Sequence, residues 1–257
     1  MQRIFHTPEG VRDIYSQECS RKQKLQEKLH RVFHQYGFED IETPTFEYFE
    51  VFSKEVGTIP SRELYKFFDR EGNTLVLRPD FTPSVSRACA TYFNPEKEVV
   101  SLCYTGNTFI NNSSFRGRLK ETTQMGVERM GDDSPEADAE ILAMTVECLL
   151  ATGLTEFQVS VGQVDYYKAI FAQTGMSQEE EEELRELISQ KNYFGVEELV
   201  KNKNMDKSLA RVLSQLPQMF GSTEVLEKAK SLTDNPQALK AVARLEEIYE
   251  LLKVYGY

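Results

Sequence analysis

The sequence predicts an α+β fold, with an antiparallel sheet, flanking helices and a mainly helical C-terminal part. Three observations carry this expectation. Two runs of strand character, Leu102 to Ile110 and Leu119 to Met130, flank the polar turn Asn111-Asn112-Ser113-Ser114, whose side chains bond their own backbone. Amphipathic helical patterns over Ser16 to Tyr36 and Pro135 to Thr152 stand on either side of that hairpin. From Asp165 onward strand signals give way to successive helical patterns.

Residues 1–15 read as an irregular lead-in, because Thr7-Pro8 and Glu9-Gly10 favour turns. In the first helix Leu25, Leu29, Val32, Phe33 and Tyr36 form one apolar stripe, and Gly37 provides a C-terminal stop. Phe38 to Thr43 reads as a strand closed by Pro44, with helical character resuming over Tyr48 to Val56. Leu64 to Asp69 and Thr74 to Leu77 read as a hairpin across Arg70-Glu71-Gly72-Asn73, with Tyr65, Phe67 and Phe68 as sheet core. A helix from Pro83 to Tyr92 turns Val85 and Cys89 inward. Asp132, Asp133, Glu136, Asp138 and Glu140 crowd the N-terminal end of the Pro135 helix, where the helix dipole favours anions. Phe157 to Val161 alternates as a strand. The five acids Glu179 to Glu183 read as a solvated helix face. Further helices are expected over Tyr193 to Lys203, Asp206 to Leu216, Ser222 to Leu232 and Pro236 to Tyr255, with Asp206 and Ser222 as N-caps.

Two stretches carry chemistry. On the return strand of the central hairpin, Thr122, Gln124, Gly126 and Glu128 share one face. An amide and a carboxylate on that face suit a ligand with an ammonium group, although a half-solvated sheet face has the same pattern. Arg116 and Arg118, at the mouth of the turn, suit an anion. In Leu77-Arg78-Pro79-Asp80-Phe81-Thr82-Pro83 the two prolines fix φ and stiffen the turn, which can hold Asp80 and Thr82 toward a ligand.

At 257 residues and 40% hydrophobic content the chain is long enough for one large core, or a core and a smaller domain. A net charge of −11 argues against a general nucleic-acid binder, which needs clustered Lys and Arg. Cys19, Cys89, Cys103 and Cys148 are widely spaced and form no CxxC pair, which argues against a zinc site. His30 and His34 lie four apart, a spacing that fits a metal. No third ligand is apparent near them in sequence, so they read as surface or interface histidines and no metal is expected. The N-terminus has no apolar signal region and no apolar run reaches membrane-span length, so the expectation is a cytoplasmic protein.

In combination, these segments resemble the catalytic core of class II aminoacyl-tRNA synthetases of the histidyl type. Leu77-Arg78-Pro79-Asp80-Phe81-Thr82 is similar to the family's strand-turn-helix element, with Asp80 where glutamate is usual. Arg116 to Gly131 is similar to the second half of the motif 2 hairpin, Tyr36 to Pro44 to the motif 1 dimer element, and Pro8 to Asp13 to the opening of these chains. The resemblance covers most of residues 1–165, taken as an incomplete synthetase-like core, followed by a helical region over 166–257. It implies that histidine is held by Asp80, Thr82, Gln124 and Glu128, and Arg118 is added as a fifth candidate. One departure stands out: the motif 2 position that carries an ATP-gripping arginine in the synthetases is Ile110, with uncharged Asn111 beside it. A chain that keeps the amino-acid side and loses the nucleotide clamp resembles the regulatory branch of this family, the subunits of ATP phosphoribosyltransferase. That implies a non-catalytic protein without cofactor, a homodimer within a hetero-oligomer, a short-form catalytic subunit as partner, histidine as effector, and no role for tRNA. The alternative is a histidyl-tRNA synthetase catalytic-core fragment. Family chains continue past the position matched by Tyr257 with the last core strands, so the resemblance implies a pocket open on one side here.

Overall fold

The computed structural model describes residues 5–53, 59–112, 117–203 and 205–257. Two compact units emerge: Met1–Asp133 with Met144–Thr155, and Ser134–Ala143 with Glu156–Tyr257. The first unit opens with helix α1 (Ser16–Gln35), which buries Val32 and Phe33 from the expected stripe but leaves Leu25 exposed. Gly37, at φ +79°, turns the chain after it, a backbone conformation that glycine adopts without Cβ strain. There follow β1 (Glu39–Asp40), β2 (Phe46–Tyr48), α2 (Phe49–Ser53), β3 (Lys66–Phe68), β4 (Thr74–Leu77), α3 (Thr82–Tyr92), β5 (Val100–Phe109) and β6 (Glu121–Met130).

These strands make two three-stranded sheets, ordered β1-β5-β6 and β2-β4-β3. Three pairings are antiparallel, as expected, whereas β1 runs parallel to β5 with Asp40 beside Cys103. The β5–β6 hairpin pairs Leu102 with Glu128, Tyr104 with Gly126, and Gly106 with Gln124. Because side chains alternate across a strand, these six residues share one face and Cys103, Asn107 and Thr123 lie on the other. Helix α3 covers the first face: Phe81, Val85 and Cys89 pack with Val100, Leu102 and Tyr104. On the second face Lys22 of α1 donates to Thr123 Oγ1 and the Arg129 guanidinium lies 5.2 Å from the Phe38 ring. Arg87 of α3 donates to the buried Glu47 of β2 at 2.8 Å, tying helix to second sheet.

The second unit contains the first turns of α4 (Pro135–Thr152), whose later turns belong to the sheet unit. It continues with α5 (Val164–Phe171), α6 (Gln178–Ser189), α7 (Tyr193–Asn202), α8 (Lys207–Gln215), α9 (Glu224–Ser231) and α10 (Pro236–Val254). Its core joins Ile170, Phe171, Leu184, Val196, Leu213 and Val242. A reciprocal capping box, Ser177 with Glu180, starts α6, and Asp206 accepts from Ser208 N at 2.9 Å to start α8.

Several sequence expectations are corrected. Phe157 to Val161 is not a strand: no described residue pairs with it, and Val159 and Val161 are exposed, so alternation without a neighbouring ladder leaves the backbone irregular. The strand over Phe38 to Thr43 shrinks to two residues, because the carbonyls of Thr43 and Pro44 turn to the Arg78 guanidinium. Phe67 and Phe68 are exposed on the edge strand β3, where Phe67 meets Phe46 edge-on at 5.6 Å, and so are not sheet core. Thr223, not Ser222, holds the N-cap position of α9, since the Ser222 hydroxyl donates to the Glu224 side chain. The helix expected over Tyr48 to Val56 is seen as α2, with Tyr48 instead ending strand β2; residues 54–56 lie outside the described residues, as do Ser113, Ser114 and Arg116. Among the described residues no helix is long and apolar enough to cross a membrane.

The contrast between core and irregular segment is measurable. Leu213→Ala, at a side chain with no exposure, is expected to cost about 2–5 kcal/mol in a urea titration, whereas Val161→Ala should stay within about 0.5 kcal/mol.

Candidate functional site

Four of the five sequence-predicted site residues come together on the α3-covered face of the hairpin. Pro79 and Pro83 bracket the turn that leads from β4 into α3. The Asp80 carboxylate accepts at Oδ1 from the Phe81 amide at 2.8 Å and from Gln124 Nε2 at 3.1 Å. Thr82 opens α3 without capping it, and its hydroxyl donates to Glu128 Oε1 at 2.6 Å. Gln124 and Glu128, four residues apart on β6, are thus each tied to the same turn. Neither carboxylate forms an ion pair among the described residues. Arg118, the fifth candidate, is exposed outside β6 and no hydrogen bond or ion pair joins it to the other four.

Three residues that sequence reasoning did not single out for the site complete it. Tyr104 is buried on β5 between Gln124 and Glu128, its ring stacked on Phe81 with centroids 4.3 Å apart. Gln124 Nε2 reaches its hydroxyl at 3.5 Å. Gly126 is required opposite it, because a Cβ there would lie 2.4 Å from the Tyr104 hydroxyl oxygen. Arg78, which is buried, donates from Nε to Asn107 O at 2.8 Å and from Nη1 to Thr43 O at 2.9 Å, and lies 4.0 Å from the Phe81 ring centre. The parity of Tyr104 with Gly106 was readable on the strand, but its position opposite Gly126 needed the hairpin register.

The electrostatics follow from this packing. Burial pushes Glu128 above the usual glutamate range; the Thr82 hydroxyl opposes that shift and the charge of Asp80 adds to it. Burial pushes the Tyr104 phenol up, and the neighbouring Glu128 and Asp80 charges push it further. The site therefore presents two carboxylates, an amide and a hydroxyl in a partly desolvated cluster, an arrangement complementary to a cationic amine. Ile110 follows β5 directly, and its amide donates to Lys120 O at 2.9 Å.

The family model described as histidyl-tRNA synthetase matches residues 10–256. The chain belongs to the histidyl-tRNA synthetase family. Among curated relatives, an ATP phosphoribosyltransferase regulatory subunit from Acetivibrio thermocellus is 40% identical over 252 residues, 98% of this chain and 60% of the relative. One of the same description from Ruminiclostridium cellulolyticum is 39% identical over an equal span. A crystal structure described as an ATP phosphoribosyltransferase regulatory subunit/histidyl-tRNA synthetase from Bacillus halodurans superposes with TM-score 0.88 at 32% identity, covering 98% of this chain and 66% of that one. The histidyl-tRNA synthetase of a Nostoc species shares the fold, with TM-score 0.77 at 19% identity. The chain spans about three-fifths of the length of the curated relatives it matches.

The raised Glu128 predicts a pH-dependent stability difference. The folded state holds this proton more tightly than the unfolded one, so its stabilising contribution is complete below the ordinary glutamate value and is lost as pH rises through the raised one. Glu128→Gln, which keeps an acceptor for Thr82, is expected to melt above wild type at pH 7, with the gap closing in acid. Thermal melts of both proteins from pH 3.5 to 7.5 check this.

Proposed function

We propose that this chain is the synthetase-like part of a regulatory subunit of ATP phosphoribosyltransferase, the first enzyme of histidine biosynthesis, and that it senses histidine at Asp80, Thr82, Gln124 and Glu128. The observation that carries the reading is the convergence of these four side chains from two distant segments around a carboxylate pair lacking its own cation. The α-ammonium of histidine supplies that missing charge, and its arrival offsets the burial and repulsion that raise Glu128. The descriptions of the relatives point the same way.

The chain is read as non-catalytic because Ile110 occupies the motif 2 position of the ATP-gripping arginine and offers no charge to a reacting phosphate. Loss of such a contact removes several kcal/mol of transition-state stabilisation. The partner is a short-form catalytic subunit, joined by a homodimer of regulatory chains in the cytoplasm, with no role for tRNA. Feedback inhibition then requires histidine to bind one state of the assembly better than the other, since equal affinity for both shifts nothing. Arg118 is assigned no contact with the amino acid in this reading.

Calorimetric titration of the full-length polypeptide with histidine tests the sensor. Saturable binding is expected, and Asp80→Asn or Glu128→Gln should weaken it about 10- to 100-fold, the worth of one charge-assisted hydrogen bond of about 1.5–3 kcal/mol. A folded protein that binds no histidine refutes the proposal. Pyrophosphate exchange with histidine and ATP separates the sensor from a working synthetase: no exchange above background is expected, and robust exchange would overturn the non-catalytic reading.

A further inference from the structure

The reverse face of β5 carries a second cluster that the proposed function leaves unused. His30 and His34 stand one helical turn apart on α1, with ring centroids 4.2 Å apart. Both turn Nε2 toward one carboxylate: His30 meets Asp40 Oδ1 at 2.5 Å and His34 meets Oδ2 at 3.0 Å. The parallel pairing of β1 with β5 sets Asp40 beside Cys103, whose thiol donates to Asp40 Oδ1 at 3.4 Å. Near-neighbours in sequence thus gain a fourth group from more than sixty residues away, which corrects the expectation that no further ligand lies near the histidines. The four ligand atoms all lie within 4.8 Å of one another.

We propose that His30, His34, Asp40 and Cys103 form a binding site for a single divalent transition metal, with zinc the best match. Two imidazoles, a thiolate and a carboxylate are a donor set suited to zinc and cobalt, and poorly suited to magnesium or calcium, which take oxygen ligands. Tetrahedral zinc with bonds of about 2.0–2.3 Å sets its ligand atoms roughly 3.3–3.8 Å apart. The cluster needs to contract by only about 1 Å, and the histidine and aspartate side chains are 39–56% exposed, so they have room to move. Cys103 is wholly buried beneath them, which gives the site a solvent entrance and a fixed floor. A bound dication displaces the thiol proton to solvent, as coordinated thiols are deprotonated. The ion would pin α1 to β1 and β5 directly behind Tyr104, whose side chain faces the opposite side of the same strand. The competing account is a purely hydrogen-bonded cluster, in which two histidines share one aspartate and the thiol takes no part.

Tag-free, chelator-stripped protein titrated with Co2+ distinguishes the two. The expected result is saturation at one equivalent, with tetrahedral d–d absorption and a thiolate-to-cobalt charge-transfer band, both displaced by Zn2+. Cys103→Ala should abolish the charge-transfer band. His34→Gln, at an exposed position that leaves the fold intact by circular dichroism, should weaken Co2+ binding at least about tenfold. Zinc should also raise the melting temperature of wild type by more than that of His34→Gln at the same metal concentration. Absence of one-equivalent binding, a charge-transfer band that survives Cys103→Ala, or an affinity unchanged by His34→Gln would each overturn the assignment.

Discussion

The candidate amino-acid site depends on a buried cation that never touches it by hydrogen bond. Arg78 gives its guanidinium to the carbonyls of Asn107, Thr43 and Pro44, and stands 4.0 Å from the Phe81 ring centre. Its own backbone continues the pattern, with its amide donating to Thr45 O and its carbonyl accepting from Phe109. No carboxylate neutralises it among the described residues, and burial pulls the guanidinium down, so carbonyl dipoles and an aromatic face carry the whole compensation. The result is that the connection between β1 and β2, the end of β4 and the strand β5 are tied at one point. The turn carrying Asp80 and Thr82 leaves from that point. Gly106 belongs to the same constraint: a Cβ there would stand 2.5 Å from Nη2 of Arg78 and 2.7 Å from Phe81.

Strand β5 then has two chemically different sides. Forward, Tyr104 stacks under Phe81 and faces the Asp80–Glu128 carboxylates across Gly126. Behind, Cys103 meets Asp40 and the two histidines of α1. Alternation along one strand puts these two groups back to back, so whatever stiffens the rear face also steadies the wall of the front one.

Much of this fold was legible in the chain itself, and the misses have specific causes. The long helices α1, α4 and α10 and the β5–β6 hairpin were readable because each spans enough residues for its period to be unmistakable. Phe157 to Val161 had the right alternation and no partner among the described residues, and alternation does not reveal whether a ladder exists. Phe67 and Phe68 had strand character, yet hydrophobicity does not say which strand lies at an edge. Asp80, Thr82, Gln124 and Glu128 were recognisable as residue types on a stiff turn and one strand face, whereas Tyr104 and Arg78 gained their places only through pairing across the sheet.

The sequence by itself determined the local elements, the shared face of Gln124 and Glu128, and the aliphatic side chain at Ile110, because these follow from residue identity and short-range geometry. Tertiary structure alone decided that Asp80 reaches Gln124 across forty-four positions and that Cys103 completes a cluster begun on α1. The reason is physical: register and burial are set by long-range pairing, and the energy of bringing charged groups together depends on which neighbours exclude water around them.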